Sequence, residues 1–408
     1  MRLNKATIGD LAVFGGHPAA TDPLYVGRPN IGDKARLLQR LSDALDRRWL
    51  TNDGPLVREF EETIAQQVGV KHCLATCNGT LALELAIRAT GVSGSAVTPS
   101  FTFVATAHAL EWRGITPLFC DIDPRTHLID VNLVEAALTP ETTAIVPVHL
   151  WGQPCDVPAL TDLAARKGLK LIFDAAHAFG SAYEGRPVGS FGDAEIFSFH
   201  ATKLVNSFEG GAVLTNDDDL AHKVRLTRNF GFTGVDTVEC VGTNAKMSEA
   251  SAAMGLTTLE ALPRVLRLNR ANHDLYGEYL ADVPGIRLLR YDPVHTNNFQ
   301  YVVLEVEEEL TGISRDDLVV VLTAENVMAR RYFFPGCHRM EPYRSYYPHA
   351  GMLLPVTERV SERVLLLPPG TSIEPADIST ICGIIRLAGQ NGAATRSLLQ
   401  EFRPAVAV

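Results

Sequence analysis

Short apolar runs alternate with helical patterns between about residue 70 and residue 216, and this alternation limits the folds open to the chain. Several runs are apolar throughout, as in strands that are covered on both faces of a sheet. Strands that alternate with helices predict an α/β fold with a mostly parallel sheet. The seven predicted strands cover residues 72–76, 95–98, 117–121, 144–148, 169–174, 194–199 and 212–215.

A second region begins where this alternation stops. Helical patterns cover 81–90, 157–167 and 220–228, and after residue 245 the chain becomes mainly helical, with helices predicted over 247–259 and 265–280. Strands are then predicted over 299–306 and 364–367. Ser314 and Asp317 resemble a capping box before a helix over 318–325, and a late helix covers 377–387. We therefore expect two domains, residues 1–260 and residues 261–408.

Composition excludes several classes of protein. The chain has 408 residues, of which 46% are hydrophobic and 21% charged, and its net charge is −10. Such a charge argues against nucleic acid or an anionic membrane as a partner. The seven cysteines include no Cys-x-x-Cys pair, which favours reduced thiols over a metal site. With no apolar segment of signal-peptide or membrane-span length, we expect a cytoplasmic protein.

Two predicted strands end beside residues that carry chemistry. The run that ends on Asp174 is apolar apart from Lys170, and Lys203 follows the run that reaches Ser198. A buried carboxylate needs a partner, which is either an arginine or a protonated ring nitrogen. A lysine beside it can form an imine with an aldehyde. This pair is what an enzyme that uses pyridoxal 5'-phosphate (PLP) requires.

Other residues at predicted strand ends complete the candidate site. Gly79 and Thr80 open a helix, where free N–H groups suit a phosphate, although Asn78 is equally well explained as a helix N-cap. Phe103 is either a core residue or a platform for a flat ring. His177 is either a ligand contact or a surface or capping histidine. Ser198 is a candidate phosphate donor.

Together these motifs resemble the DegT–StrS group of sugar-nucleotide aminotransferases, which are fold-type I PLP enzymes. The resemblance rests on segments that begin at Asn78, Thr98, Pro147, Asp174, Phe197 and Glu209 in this order. It implies a three-layer αβα large domain with a seven-stranded sheet and a smaller α+β C-terminal domain.

The resemblance also implies roles for individual residues. Lys203 would carry PLP, Asp174 would pair with the ring nitrogen and Phe103 would stack on the ring. The remaining implied contacts are those of Gly79, Thr80 and Ser198 with the phosphate, His177 near the ring hydroxyl, Asn244 with the phosphate of a neighbouring subunit, and Lys246 and His338 with the substrate. Asn244 is alternatively a turn residue, and His338 a loop histidine without a ligand. A homodimer with shared active sites follows from the same resemblance.

The segment from Phe197 to Lys203 and the segment from Tyr332 to His338 resemble members that act on carbon 4 of the sugar. The implied reaction moves an amino group from glutamate to a dTDP-4-keto-6-deoxyhexose and gives a dTDP-4-amino-4,6-dideoxysugar. A carbon 3 ketosugar and a keto-inositol are alternative substrates. A non-catalytic regulatory protein on the same scaffold is the alternative from another class. A nicotinamide enzyme is disfavoured because no Gly-x-Gly-x-x-Gly follows a strand.

Overall fold

The computed structural model describes residues 5–402, and the structural statements below concern that part of the chain. In chain order its strands are β1 (Leu24–Tyr25), β2 (His72–Thr76), β3 (Ser95–Pro99), β4 (Thr116–Cys120), β5 (Thr142–Ile145), β6 (Lys170–Asp174), β7 (Ala182–Tyr183), β8 (Arg186–Pro187), β9 (Ala194–Ser198), β10 (Gly211–Thr215), β11 (Ile286–Leu288), β12 (Val302–Val306), β13 (Val327–Met328) and β14 (Val364–Leu367). Its α-helices are α1 (Lys34–Arg47), α2 (Pro55–Val68), α3 (Gly79–Thr90), α4 (Ala105–Glu111), α5 (Val131–Ala137), α6 (Val157–Lys167), α7 (Asp218–Thr227), α8 (Glu249–Leu280), α9 (Glu308–Thr311), α10 (Arg315–Ala324), α11 (Tyr343–Tyr346), α12 (Pro355–Arg363), α13 (Pro375–Gln390) and α14 (Gly392–Phe402).

The main sheet has seven strands in the order β2-β10-β9-β6-β5-β3-β4. Strand β10 is antiparallel to both of its neighbours, and the other neighbouring pairs are parallel. These are the strands that the apolar runs predict, displaced by at most a few residues, so the predicted α/β class and mostly parallel sheet are confirmed. The C-terminal ends of β2, β3, β6 and β9 therefore meet at one edge, where open α/β sheets bind ligands.

Helices cover both faces of this sheet, as the apolar strands require. Phe173 of β6 packs in a core that includes residues of α2, α6 and α8. Its neighbour Ile172 points the other way, into a core with residues of α3 and α7. Successive side chains of a strand alternate between the two faces of the sheet, so an apolar strand contributes side chains to a hydrophobic core on each face. The expected three-layer αβα arrangement is confirmed.

Helix α8 corrects one sequence-based prediction. Two helices were expected over 247–259 and 265–280, but a single helix of 32 residues spans Glu249–Leu280 with Pro263 inside it. Proline removes one helical hydrogen bond, which favours a break there. Burial on both sides of the proline, for example of Leu259 and Val265, holds the two halves in one helix. The predicted domain limit at residue 260 falls within α8 and stays a prediction.

The C-terminal part contains a smaller antiparallel sheet in the order β11-β12-β14. Its strands share a core with residues of α10, α13 and the end of α8. At the predicted capping box the Ser314 side chain accepts the N–H of Asp317, and α10 begins at Arg315, three residues before the predicted start at residue 318. The β14 segment agrees with its prediction, whereas β12 begins three residues later than the predicted start at residue 299.

Within residues 5–402, no helix has the length and apolar character needed to span a membrane. Over residues 5–402, the side chains of His, Cys, Asp and Glu form no group of three or more that would suit a metal ion.

Candidate active site

A cavity of about 250 Å³ opens at the sheet edge where β2, β6 and β9 end. We call it the Lys203 cavity. The topology brings most of the predicted site residues here, because each is the last residue of a strand or follows the C-terminal end of a strand. Those that line the cavity are Gly79, Thr80, Phe103, Asp174, His177, Ser198 and Lys203.

Lys203 lies in the loop after β9, where its backbone N–H donates to the carbonyl of His200 at 2.8 Å. Burial lowers the pKa of its amine from 10.5 to about 8, and the charge of Asp174 only partly opposes this shift. A buried ammonium group loses its hydration, so the neutral form is favoured. Near pH 8 a large share of Lys203 is therefore a free, nucleophilic amine.

Asp174 ends β6 with its carboxylate buried in the cavity wall. The hydroxyl of Thr106 donates to Oδ2 at 2.8 Å, and the N–H of Ala176 donates to Oδ1 at 3.1 Å. Burial raises the pKa of the carboxyl, while these two bonds and the charge of Lys203 partly offset that effect. Its hydrogen bonds come from a hydroxyl and an amide instead of an arginine. The carboxylate keeps acceptor capacity for a cationic N–H group in the cavity.

His177 is buried, so the alternative of a surface histidine is wrong. Its ring stacks on Phe333 with 5.8 Å between centroids and lies 4.7 Å from the ring of Tyr301. Burial, together with the charge of Lys203, holds the pKa of this imidazole well below 6.5. Its Nδ1 is buried without a hydrogen-bond partner among the described residues. Buried polar atoms are normally paired, so this nitrogen is available to a polar group in the cavity.

Gly79 and Ser198 touch each other at the other end of the cavity. A Cβ atom placed on Gly79 would lie 2.9 Å from Cβ of Ser198, a distance that real side chains avoid. Asn78 caps α3, because its side chain accepts the N–H of Leu81 at 2.8 Å. The N-cap interpretation is therefore correct, and it leaves the first N–H groups of α3 without an intrahelical acceptor. These groups and the Ser198 hydroxyl form a cradle that suits a phosphate.

Phe103 is 58% exposed at the cavity, whereas Phe101 two residues earlier is fully buried in the core. The alternative that Phe103 is a core residue is therefore wrong. An aromatic ring that remains exposed beside a cavity can stack on a flat ligand.

Three predicted site residues lie outside the Lys203 cavity. Asn244 is exposed. Lys246 lines a separate cavity, and its Nζ lies 4.6 Å from the ring centroid of Phe230. His338 is buried, with Nδ1 bonded to Ser100 Oγ at 2.7 Å and Nε2 bonded to Glu358 at 2.6 Å. Both ring nitrogens of His338 are thus already engaged within the protein.

The sequence pattern does not single out some residues in and around the cavity. Thr106 is one, because only the fold brings its hydroxyl to Asp174, and Tyr301 of the cavity wall is another, because an aromatic residue beside an apolar strand suggests core. Tyr332 and Phe333 also line the cavity. They lie in the segment whose resemblance to the carbon 4 enzymes was noted, so that signal was available.

The chain belongs to the DegT/DnrJ/EryC1/StrS aminotransferase family, which it matches over residues 32–386. The dTDP-4-amino-4,6-dideoxy-D-glucose transaminase of Shigella dysenteriae is 37% identical over 367 residues, which are 89% of this chain and 98% of that protein. The GDP-perosamine synthase of Caulobacter vibrioides is 36% identical over 344 residues, 83% of this chain and 91% of the synthase. The structure of DesI in the presence of its TDP-sugar product is 54% identical, covers 97% of this chain and 100% of DesI, and has a TM-score of 0.93. The resemblance inferred from the motifs is confirmed.

Aminotransferases of this family are PLP-dependent in general. The residues present fit that group at three points. The unpaired Nδ1 of His177 and the acceptor capacity of Asp174 suit polar atoms of a ring, and the first N–H groups of α3, which lie close to Ser198 and lack an intrahelical acceptor, suit a phosphate.

Proposed function

We propose that this protein is a PLP-dependent aminotransferase that moves an amino group from glutamate to carbon 4 of a dTDP-4-keto-6-deoxyhexose. The product is a dTDP-4-amino-4,6-dideoxysugar. The observation that carries the proposal is one cavity lined both by Lys203, a half-buried lysine whose amine has a lowered pKa, and by the buried carboxylate of Asp174. A solvated surface lysine would have neither the burial nor the partner.

When bound, PLP supplies an aldehyde that condenses with amines and a ring that withdraws electrons from the bond being broken. Lys203 then has two roles. Its neutral Nζ would be the nucleophile that holds the cofactor, and after displacement by the amino donor the freed amine would carry a proton from the donor's α-carbon to the carbon of the cofactor's aldehyde group. Proton transfer by a positioned base contributes about a hundred- to ten-thousandfold to a rate.

Asp174 supplies a fixed negative charge behind the ring. The two hydrogen bonds from Thr106 and Ala176 orient its carboxylate, so its free lone pairs have a defined direction. A preorganised charge of this kind favours a protonated ring nitrogen without any rearrangement during the reaction. We assign the ring face to Phe103, the ring hydroxyl to His177 and the phosphate to Gly79, Thr80 and Ser198.

The relatives support the sugar substrate. The Shigella relative is a dTDP-4-amino-4,6-dideoxy-D-glucose transaminase, and the DesI structure was determined in the presence of its TDP-sugar product. Tyr301, Tyr332 and Phe333 give the Lys203 cavity an aromatic wall that suits the apolar face of a deoxysugar. His338 follows Tyr332 and Phe333 in the chain, and its bonds to Ser100 and Glu358 hold the chain a few residues after these two aromatic residues.

We also propose a homodimer with shared active sites. The segment before Asn244 exposes several apolar side chains, of which Val235 is 94% exposed and Val241 is 75% exposed. Such a surface is commonly covered by a partner. In a dimer this segment would bring Asn244 and Lys246 to the partner's cavity. Analytical ultracentrifugation tests this, and a monomer at assay concentrations would refute it.

Incubation with PLP, glutamate and dTDP-4-keto-6-deoxyglucose tests the reaction. We expect a dTDP-4-amino-4,6-dideoxysugar together with 2-oxoglutarate, and NMR of the product gives the configuration at carbon 4. Parallel reactions with a 3-ketosugar nucleotide and a keto-inositol test the alternative substrates. Preferential turnover of one of these ketones would replace the proposed substrate, and no product from any ketone at high enzyme concentration would refute the activity.

A further inference from the structure

One glutamine side chain bonds to the backbone on both sides of Lys203. Oε1 of Gln300 accepts the N–H of Leu204 at 3.1 Å, and Nε2 of Gln300 donates to the carbonyl of Thr202 at 3.1 Å. The Gln300 side chain is buried, with the whole residue only 8% exposed. A primary amide carries a donor and an acceptor at the spacing of a peptide group, so it can imitate a neighbouring strand for a single residue.

Gln300 itself is held in place by its neighbours. Oδ1 of Asn298 accepts the Gln300 N–H at 3.0 Å, and Nδ2 of Asn298 donates to the carbonyls of His177 and Phe179 at 2.8 and 3.0 Å. The segment before β12 therefore binds two loops that reach the cavity. One loop carries His177, and the other carries Lys203.

We propose that Gln300 is a positioning residue that fixes the backbone of Lys203, so that the amine stays in the cavity that Asp174 also lines. The inference rests on the proposed function of Lys203. Lys203 lies in a loop, and loop backbone is less constrained than strand backbone. A four-carbon side chain adds its own freedom, so the place of Nζ depends on a backbone held from both sides.

The chemistry of the side chain supports this role over simple filling of space. Methionine fills nearly the same volume but makes neither hydrogen bond. With both bonds gone, the N–H of Leu204 and the carbonyl of Thr202 need water, which would reach the Lys203 amine. More hydration favours the charged amine and raises the pKa of Lys203 toward its ordinary value.

The test compares Gln300→Met with a matched control, Gln153→Met. Gln153 is also buried, 5% exposed, and its Nε2 donates to the carbonyl of Thr126 at 2.9 Å, but it does not contact Lys203. Two measurements are made on full-length protein. The first is the pH dependence of Lys203 acylation in cofactor-free protein, read by peptide mass spectrometry. The second is PLP affinity from a titration of the same preparation.

Each buried hydrogen bond changes an equilibrium by about two- to tenfold, so Gln300→Met should bind PLP about tenfold more weakly or worse. The midpoint of Lys203 acylation should move to higher pH by about half a unit or more. Gln153→Met should leave both values at those of the wild type. Gln300→Asn retains an amide, but the shorter side chain reaches only one of the two backbone groups. Its PLP affinity and its acylation midpoint should therefore lie between those of Gln300→Met and those of the wild type.

Equal PLP affinity and equal acylation midpoints in Gln300→Met and the wild type would overturn the role of Gln300. If Gln300→Met fails to fold, Gln300→Asn carries the same comparison, and wild-type values in that variant would overturn the role. The acylation profile needs no cofactor. A wild type that fails to attach PLP at Lys203 would therefore refute the proposed function separately from the role of Gln300.

Discussion

The Lys203 cavity and a larger groove along α8 are both concave, but they differ in how far their oppositely charged side chains are exposed to solvent. The groove has a volume of about 730 Å³ and is lined by residues that include Arg270, Asp274 and Phe299. Its charges are open to solvent, with side-chain exposures of 70% for Arg270 and 65% for Asp274. In the smaller Lys203 cavity, burial shifts the pKa values of Lys203, Asp174 and His177.

This difference shows that the volume of a cavity does not identify the candidate active site in this protein. Water screens the charges of the α8 groove, so they exert little force on a ligand or on each other. In the Lys203 cavity burial reduces the screening of the charged groups, so each charge depends more on a particular partner. Equivalent substitutions in the two places should therefore have very unequal effects, and each of the following predictions pairs one with the other.

The largest effect is expected for Lys203→Ala. It removes both the nucleophile and the proton carrier, so transamination of the ketosugar should fall by at least about ten-thousandfold. Arg270→Ala in the α8 groove should retain nearly the wild-type rate. Steady-state rates with glutamate as donor measure both. Transamination by Lys203→Ala near the wild-type rate would refute the assignment of that residue.

Asp174→Asn should lower the rate by about a hundredfold or more, because a preorganised charge behind the ring is lost while its shape is kept. The variant should still bind PLP. The matched change in the groove, Asp274→Asn, should alter the rate by no more than about twofold, as expected for a solvated charge. Equal rates in the two variants would remove the distinction between the two regions.

Gly79→Ala should weaken PLP binding by about tenfold, because the new Cβ meets Ser198 at 2.9 Å and displaces one wall of the phosphate cradle. Gly277→Ala adds a Cβ on the α8 groove, 3.3 Å from Leu288, and should leave PLP affinity unchanged. Titration of cofactor-free protein with PLP gives both affinities. If Gly79→Ala bound PLP as tightly as the wild type, the phosphate would have to bind away from Gly79.

The smallest predicted effect is a shift along the pH axis. Because the neutral amine is the reactive form, acylation of Lys203 should rise with pH and reach half its maximum near pH 8, where burial places the pKa of Lys203 at about 8. The charge of Asp174 raises that pKa, so Asp174→Asn should move the midpoint to lower pH. A midpoint near 10.5 would show a solvated amine like an ordinary surface lysine.

The sheet was predictable because local sequence determines it. Runs such as 169–174 are apolar and short, which allows little besides a buried strand, and parallel order then places Asp174 and Ser198 at one edge. Helix α8 was not predictable to the same degree. Pro263 signals a break locally, and only packing along the whole helix shows that none occurs.

The candidate site divides in the same way. Asp174 and Lys203 follow predicted strands, so their meeting in one cavity follows from topology. Gln300 and Thr106 make hydrogen bonds to residues that are distant in the sequence, and the sequence around them does not predict those bonds. His338 shows the reverse, since its motif suggested a sugar contact but its ring nitrogens bond within the protein.

The most direct test of the central claim is to load the protein with PLP, reduce it with borohydride and map the modified peptide by mass spectrometry. The account predicts one modified lysine, Lys203, with no capture in Lys203→Ala. Attachment at another lysine, such as Lys246, or no attachment in the wild type, would contradict it.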